Sequence, residues 1–213
     1  SIIFTPKADF FGTATFTYTI HDAVRGEMQT TVTLHVENVN DAPVADDETG
    51  TATEDTTLSV PAASGLLIGD SDVDGDTLTI TQFTVAGVAG SFTAGSAATI
   101  PSVGVLTINA DGSYTFAPAA NYNGAVPVAT YTVSDSNGGL DTGTLTLAVT
   151  AVNDASTASS LSVAEAYTED TALNLIDIVV SDVDSASVTA TPHCAAAAST
   201  VATTRTRFPS MAA

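Results

Sequence analysis

The chain holds no tryptophan, a single cysteine and only four Lys+Arg in 213 residues. Each shortage removes a class of explanation. With Cys194 alone, no intrachain disulfide can form. A secreted chain of this size then needs another staple, and bound metal ions are the usual substitute. Four basic residues against 24 Asp+Glu leave a net charge of −20, so there is no cluster of cations to grip a phosphate backbone and no nucleic-acid partner is expected. An anionic membrane surface is disfavoured for the same reason. No apolar run approaches the roughly 18 residues of a transmembrane helix, so no membrane span is expected in this fragment. No signal peptide is present, and Ser1 falls inside a strand-like stretch, Ile2-Ile3-Phe4, so the chain reads as an excerpt from a longer polypeptide.

What is present is foldable. Hydrophobic residues make up 44% of the chain and occur in alternating runs, unlike a disordered acidic tail. Every acid lies at or before Asp184, where Lys7 and Arg25 are the only Lys or Arg. Acid-rich yet foldable sequence points to bound divalent cations or to a very salty habitat.

The main organisational fact is an internal repeat. Phe4-Thr5-Pro6 through Gly12 lines up with Phe116-Ala117-Pro118 through Gly124, and Tyr18-Thr19-Ile20-His21-Asp22 with Tyr131-Thr132-Val133-Ser134-Asp135. Asn38-Val39-Asn40-Asp41-Ala42 matches Ala151-Val152-Asn153-Asp154-Ala155, Glu54-Asp55-Thr56 matches Glu169-Asp170-Thr171, and Asp72-Val73-Asp74 matches Asp182-Val183-Asp184. The first offsets are 112 and 113, the size of one β-sandwich module. The chain therefore divides into the C-terminal part of one unit (1–41), a complete unit (42–154), the N-terminal part of a third (155–190) and an atypical tail (191–213). The tail lacks the repeat's alternation and is expected to be disordered. The two partial units are expected to expose strand edges and half a core.

Within each unit the period is two. Phe16, Tyr18 and Ile20 alternate with threonines, and Val32, Leu34 and Val36 with Thr31, Thr33 and His35; Leu106/Ile108, Tyr114/Phe116, Tyr131/Val133 and Leu145/Leu147/Val149 continue the scheme. This predicts an all-β fold of tandem sandwich modules with one face of each strand in the core. Asp111-Gly112 and Asn137-Gly138-Gly139 read as hairpin turns. No long stretch has a helical period.

The chemistry concentrates in Asp70-Ser71-Asp72-Val73-Asp74-Gly75-Asp76. Four carboxylates within seven residues repel one another, and a hard cation such as Ca²⁺, which takes six to eight oxygens, reverses that sign. Asp70, Asp72, Asp74 and Gly75 match the start of an EF-hand loop, but the twelfth position is Thr81, not Glu. The segment therefore reads as a calcium-binding aspartate loop between strands, with a solvated acidic turn as the alternative. The linkers Asn38–Pro43 and Ala151–Ala155 offer Asn and Asp side chains and free carbonyls, although ordinary Asx turns would use the same residues.

In combination these motifs resemble the cadherin-like tandem repeats of large bacterial surface adhesins, over about 190 of the 213 residues. Asn-Val-Asn-Asp-Ala-Pro resembles the linker motif, Asp72-x-Asp74 the Asp-x-Asp motif, and Glu54 the glutamate near the start of a module. The resemblance implies an Ig/cadherin-like sandwich with Ca²⁺ held between consecutive modules. One junction would gather Asp22, Asn40, Asp41, Glu54, Asp72 and Asp74, with Asp70 and Asp76 as less secure ligands. The next would gather Asp135, Asn153, Asp154, Glu169, Asp182 and Asp184. Asn38 and Ala151 replace the first linker Asp, and Ser156 stands where Pro43 stood, which implies a weaker second junction. The implied role is a calcium-stiffened extracellular adhesion module. Its partners are neighbouring repeats of the parent chain and cell-surface or matrix ligands.

No catalytic constellation competes with this. His21, His35 and His193 share no spacing, His193-Cys194 is a lone pair, and no nucleophile elbow has a His partner. The acids lie in polar turns, the wrong setting for a glycosidase's raised carboxyl, so no enzyme is expected. A spacer or accessory module of a secreted polysaccharide-active enzyme remains the alternative, although a glycan-binding face would need exposed aromatics. A halophile's surface protein is a third reading.

Overall fold

A computed structural model describes residues 3–24, 26–159, 179–185 and 187–188. The tail at 191–213 and most of the third unit lie outside the described residues. Period-two sequence becomes strand throughout, and among the described residues the only helical turn is a 3-10 segment at Ala62–Ser64.

The chain begins with a hairpin of β1 (Gly12–Asp22) and β2 (Gly26–Val36). Its register runs from Gly12↔Val36 to Asp22↔Gly26 at the tip. The complete unit follows with β3 (Glu48–Thr53), β4 (Leu58–Val60), β5 (Thr79–Val85), β6 (Phe92–Thr93), β7 (Ala97–Ile100), β8 (Gly104–Ile108), β9 (Tyr114–Pro118), β10 (Gly124–Ala125), β11 (Ala129–Ser134) and β12 (Leu140–Thr150). Short β13 (Thr157–Ser159) and β14 (Val179–Ser181) pair beyond the second linker.

Two sheets enclose the core of the complete unit. One runs β10-β12-β11-β5-β6, with β3 also paired to β12; the other runs β4-β9-β8-β7. The alternation seen in sequence decides which side chains meet between them. Tyr131, Phe116, Ile108 and Val133 are fully buried, and Leu106, Phe83 and Leu145 nearly so. The Asp111-Gly112 turn joins β8 to β9 with Gly112 at φ 81°, the left-handed conformation that glycine adopts without steric cost. The result is the all-β sandwich that the alternation predicts.

One pairing sets where the functional groups fall. β3 lies parallel to β12, from Glu48↔Leu145 to Thr53↔Thr150. β11 and β12 are antiparallel, from Ala129↔Leu145 to Ser134↔Leu140. A strand starting just after the first linker is thereby carried to the opposite end of the module, where β12 ends. The turn between β11 and β12 returns to the end where the chain came in.

The hairpin carries the same alternation, and among the described residues no second sheet covers it. Tyr18 is 39% and Ile20 46% exposed, whereas their repeat equivalents Tyr131 and Val133 are fully buried. Phe4 and its equivalent Phe116 differ in the same way, at 42% and 0% exposed. Phe116→Ala is expected to cost about 3–5 kcal/mol of stability, seen as a lower denaturant midpoint at unchanged slope. Phe4→Ala is expected to stay within ~0.5 kcal/mol of wild type.

Candidate metal centres

The first linker meets the aspartate loop and the β11–β12 turn. Asn40 Nδ2 donates to Asp41 O at 3.1 Å and to Asp135 Oδ2 at 2.7 Å, and Asp41 N donates to Asp74 Oδ2 at 2.7 Å. Within the loop, Asp72 Oδ1 accepts from Asp74 N at 2.8 Å and Asp76 N at 3.3 Å. Asp135 follows β11 and is only 2% exposed. Its Oδ1 accepts from Asn137 N at 2.7 Å and Gly139 N at 3.0 Å. The Asn40 amide, with these backbone donors, holds its carboxyl below the usual range. Oxygens of Asp72, Asp76 and Asp135 lie within 4.8 Å of one another, and Asp72 Oδ2 is buried with no hydrogen-bond partner among the described residues.

The second linker repeats this wiring. Asn153 Nδ2 donates to Asp154 O at 2.8 Å, Asp154 N to Asp184 Oδ2 at 2.5 Å, and Asp184 N to Asp182 Oδ1 at 3.1 Å. These three bonds are the counterparts of Asn40–Asp41, Asp41–Asp74 and Asp74–Asp72. Ser156, in the place of Pro43, donates its hydroxyl to Asp182 Oδ2 at 2.6 Å. Here the third carboxylate is Glu54, 1% exposed. It accepts from Val152 N and, at 3.2 Å, from Asn123 Nδ2. Glu54, Asp154 and Asp184 bring oxygens within 4.8 Å, and Asp154 Oδ2 is buried with no hydrogen-bond partner among the described residues. Desolvation first, and the charges of Asp184, Asp55 and Glu54 after it, push the Asp154 carboxyl up.

This geometry corrects four of the placements expected from the sequence: Glu54, Asp135, Asp22 and Asp70. Glu54 sits with Asn153, Asp154 and Asp184, not with the first linker, because parallel pairing carries β3 to the far end and Glu54 N bonds Thr150 O. Asp135 sits with Asn40 and Asp72, not with the second linker, because the β11–β12 turn points back to the first. Asp22 joins neither: it lies at the hairpin tip and accepts from Val24 N at 3.1 Å. Ten residue steps separate it from Val36, roughly 34 Å of strand. Glu169 lies outside the described residues.

Asp70 belongs to a third cluster that the sequence did not reveal. It accepts from Asp46 N at 3.0 Å and brings an oxygen within 4.8 Å of Asp46 and Glu48. The buried Tyr131 hydroxyl donates to Glu48 Oε2 and lies 3.1 Å from Asp46 O and 3.2 Å from Leu66 O. Glu48 Oε1 and Asp70 Oδ2 are buried without partners. A signal was available in the period: positions 48, 50, 52 and 54 face inward along β3, so this short strand both starts and is followed by an inward glutamate. Burial, reinforced by the Asp46 and Asp70 charges, raises Glu48 from 4.5 to about 7. Burial, with Asp46 and Asp141 nearby, raises Asp70 from 3.8 to about 6.

All three clusters offer only hard oxygen donors, each includes at least one buried oxygen with no donor facing it, and none contains a cysteine or histidine. That donor set fits calcium and not a transition metal.

The raised carboxyls of Glu48, Asp70 and Asp154 bind protons more tightly folded than unfolded, so folding takes up protons, and through Glu48 and Asp70 stability falls as pH rises from about 4 to 7. Carboxyls held low, such as Asp135 and Asp141, lose their contribution only below about 3.8. In chelator, the melting temperature is therefore expected to be higher at pH 5 than at pH 7.5. Glu48→Gln should flatten that slope. A wild-type melting temperature that rises over the same interval contradicts the assignment.

The bacterial cadherin-like domain family matches residues 40–151, and a cadherin-like domain family matches residues 1–37. No curated protein shows a significant match. Solved structures similar to the chain include two endo-fucoidan hydrolases of glycoside hydrolase family 107. MfFcnA4 is 23% identical over 70% of this chain and 20% of its own, with a TM-score of 0.34. MfFcnA9 is 22% identical over 68% and 23%, with a TM-score of 0.32. The chain thus spans less than a quarter of the length of either.

Proposed function

The chain belongs to the bacterial cadherin-like domain family, and from that premise we propose that it is a non-catalytic, calcium-binding structural module of an extracellular tandem-repeat adhesin. The observation that carries the reading is the duplicated wiring of the two linkers. Each presents the same Asn–Asp–Asp hydrogen bonds and leaves one buried carboxylate oxygen without a partner.

At the first junction, Asn40, Asp41, Asp72, Asp74, Asp76 and Asp135 are the residues that would hold calcium. At the second they are Glu54, Asn153, Asp154, Asp182 and Asp184. Without the ion, like charges push the linker away from the loop and the turn. With it, oxygens from a linker and the unit that follows, together with Glu54 of the unit before the second linker, become shared ligands. Neighbouring modules then lose their freedom to hinge. Asp46, Glu48 and Asp70 would take a further ion within the complete unit. The partners of such a rod are the adjoining repeats and, at its working end, cell-surface or matrix ligands.

Extracellular calcium modules bind at ~10⁻⁴–10⁻³ M, so millimolar calcium would fill the sites. Free ion a hundredfold above its dissociation constant adds about 2.7 kcal/mol per site to the folded form, which for a module of this size raises the melting temperature by on the order of 10 °C. Chelator should reverse the rise. Asp72→Asn combined with Asp135→Asn should remove part of it, leaving the contribution of the other clusters. A wild-type melting curve indifferent to calcium defeats the proposal.

A further inference from the structure

The chain contains two Asn-Gly steps, Asn123-Gly124 and Asn137-Gly138, and each asparagine donates its side-chain amide to a carboxylate of one of the clusters. Asn-Gly is the step most open to spontaneous deamidation, because glycine places no side chain in the way of ring closure. The backbone nitrogen of the glycine attacks the asparagine Cγ, forming the C–N bond of a five-membered succinimide. The Cγ–Nδ2 bond breaks and ammonia leaves, carrying a proton relayed by solvent from the attacking amide. Water then opens the ring at either carbonyl, giving aspartate or isoaspartate. The balance is one water consumed and one ammonia released, with no oxidant or enzyme.

We propose that Asn137-Gly138 is a self-modifying site whose conversion adds a carboxylate to the Asp72–Asp76–Asp135 cluster, and that Asn123-Gly124 is protected by the sheet. The two steps differ in the nitrogen that must attack. Gly124 belongs to β10 and pairs with Val149. The register that sends Val126 N to Leu147 O also sets the Gly124 N–H against the Val149 carbonyl, two residues along an antiparallel ladder. That nitrogen is free to attack only after the strand opens. Gly138 lies between the end of β11 and the start of β12, outside any ladder. Asn137 and Gly138 are both exposed, and a Cβ built on Gly138 would meet nothing within 4 Å. Ring closure there has room and breaks no strand pairing; the Gly138 amide has only to turn from the Asp135 carboxylate that it faces with its neighbours.

The consequence is electrostatic. Asn137 Nδ2 now donates to Asp76 Oδ2 at 2.7 Å. After conversion the donor is gone and a like charge stands in its place, beside three carboxylates already within 4.8 Å. Isoaspartate also lengthens the backbone by a methylene between the Asn137 and Gly139 amides that hold Asp135. Ageing thus weakens the seat of the first linker when no cation is bound. On the calcium reading, and on that alone, a bound cation would offset the added charge.

The test is to age the full chain in mildly alkaline buffer with chelator, digest it, and follow the peptides spanning residues 123 and 137 by mass spectrometry. Conversion at Asn137 at least about tenfold faster than at Asn123 is expected, the ratio that a modest opening free energy produces. No conversion at Asn137, or equal rates at the two steps, overturns the assignment. Asn137→Asp, made directly, is expected to lower the melting temperature in chelator while Asn137→Gln does not. Equal melting temperatures for Asn137→Asp and wild type overturn the electrostatic consequence. A chain that converts at Asn137 yet ignores calcium would sink the calcium reading and leave this one standing.

Discussion

Inward-facing carboxylates with no fixed cation to answer them are the constraint on which the rest of this structure turns. Up to Asp184 the sequence supplies two Lys/Arg against 24 Asp+Glu, so the acids can be compensated only by hydrogen-bond donors, by protons or by a cation from outside. Donors satisfy part of each cluster: backbone amides and asparagine side chains face Asp135 and Glu54. Protons satisfy another part, as the raised Glu48 and Asp70 indicate. The oxygens left over, on Glu48, Asp70, Asp72 and Asp154, are buried and without partners among the described residues. An unpaired buried acceptor is costly to maintain, and four of them sharing three clusters point to a common remedy.

Much of this could be read from the chain itself. The alternation of Leu106/Ile108, Tyr131/Val133 and Leu145/Leu147/Val149 located the core strands because burial on one face leaves a period of two. The repeat located both linkers and the two Asp-Val-Asp loops, and three of the hydrogen bonds found there recur in both copies. These features are local, or recur at a fixed offset, so a single sequence carries them.

What the chain did not disclose depends on pairing between distant segments. β3 is short and reads Glu-Thr-Gly-Thr-Ala-Thr, with nothing to say whether its partner runs parallel or antiparallel. That choice decides which linker Glu54 serves, and by the same geometry which linker Asp135 serves. The Asp46–Glu48–Asp70 cluster was hidden for a related reason. It exists because the segment after the first linker bridges to the aspartate loop at Val44↔Ser71, a contact no local motif announces. Tyr131 looked like an ordinary core aromatic of an alternating strand, and its ring is one. Only its hydroxyl, at the edge of that core, touches the acids.

The parallel pairing of β3 with β12 also bears on how the chain would carry tension. A pull along a string of such units draws the first linker away from one end of the module and the second linker away from the other. β3 hangs from the first and β12 from the second, side by side over six paired positions. Force applied this way slides the two strands past each other along their length, so the ladder bonds share the load and must give together. An antiparallel first-and-last pair would peel open one bond at a time. The register that places Glu54 at the far linker is thus the one that suits the unit to being a link in a chain under strain.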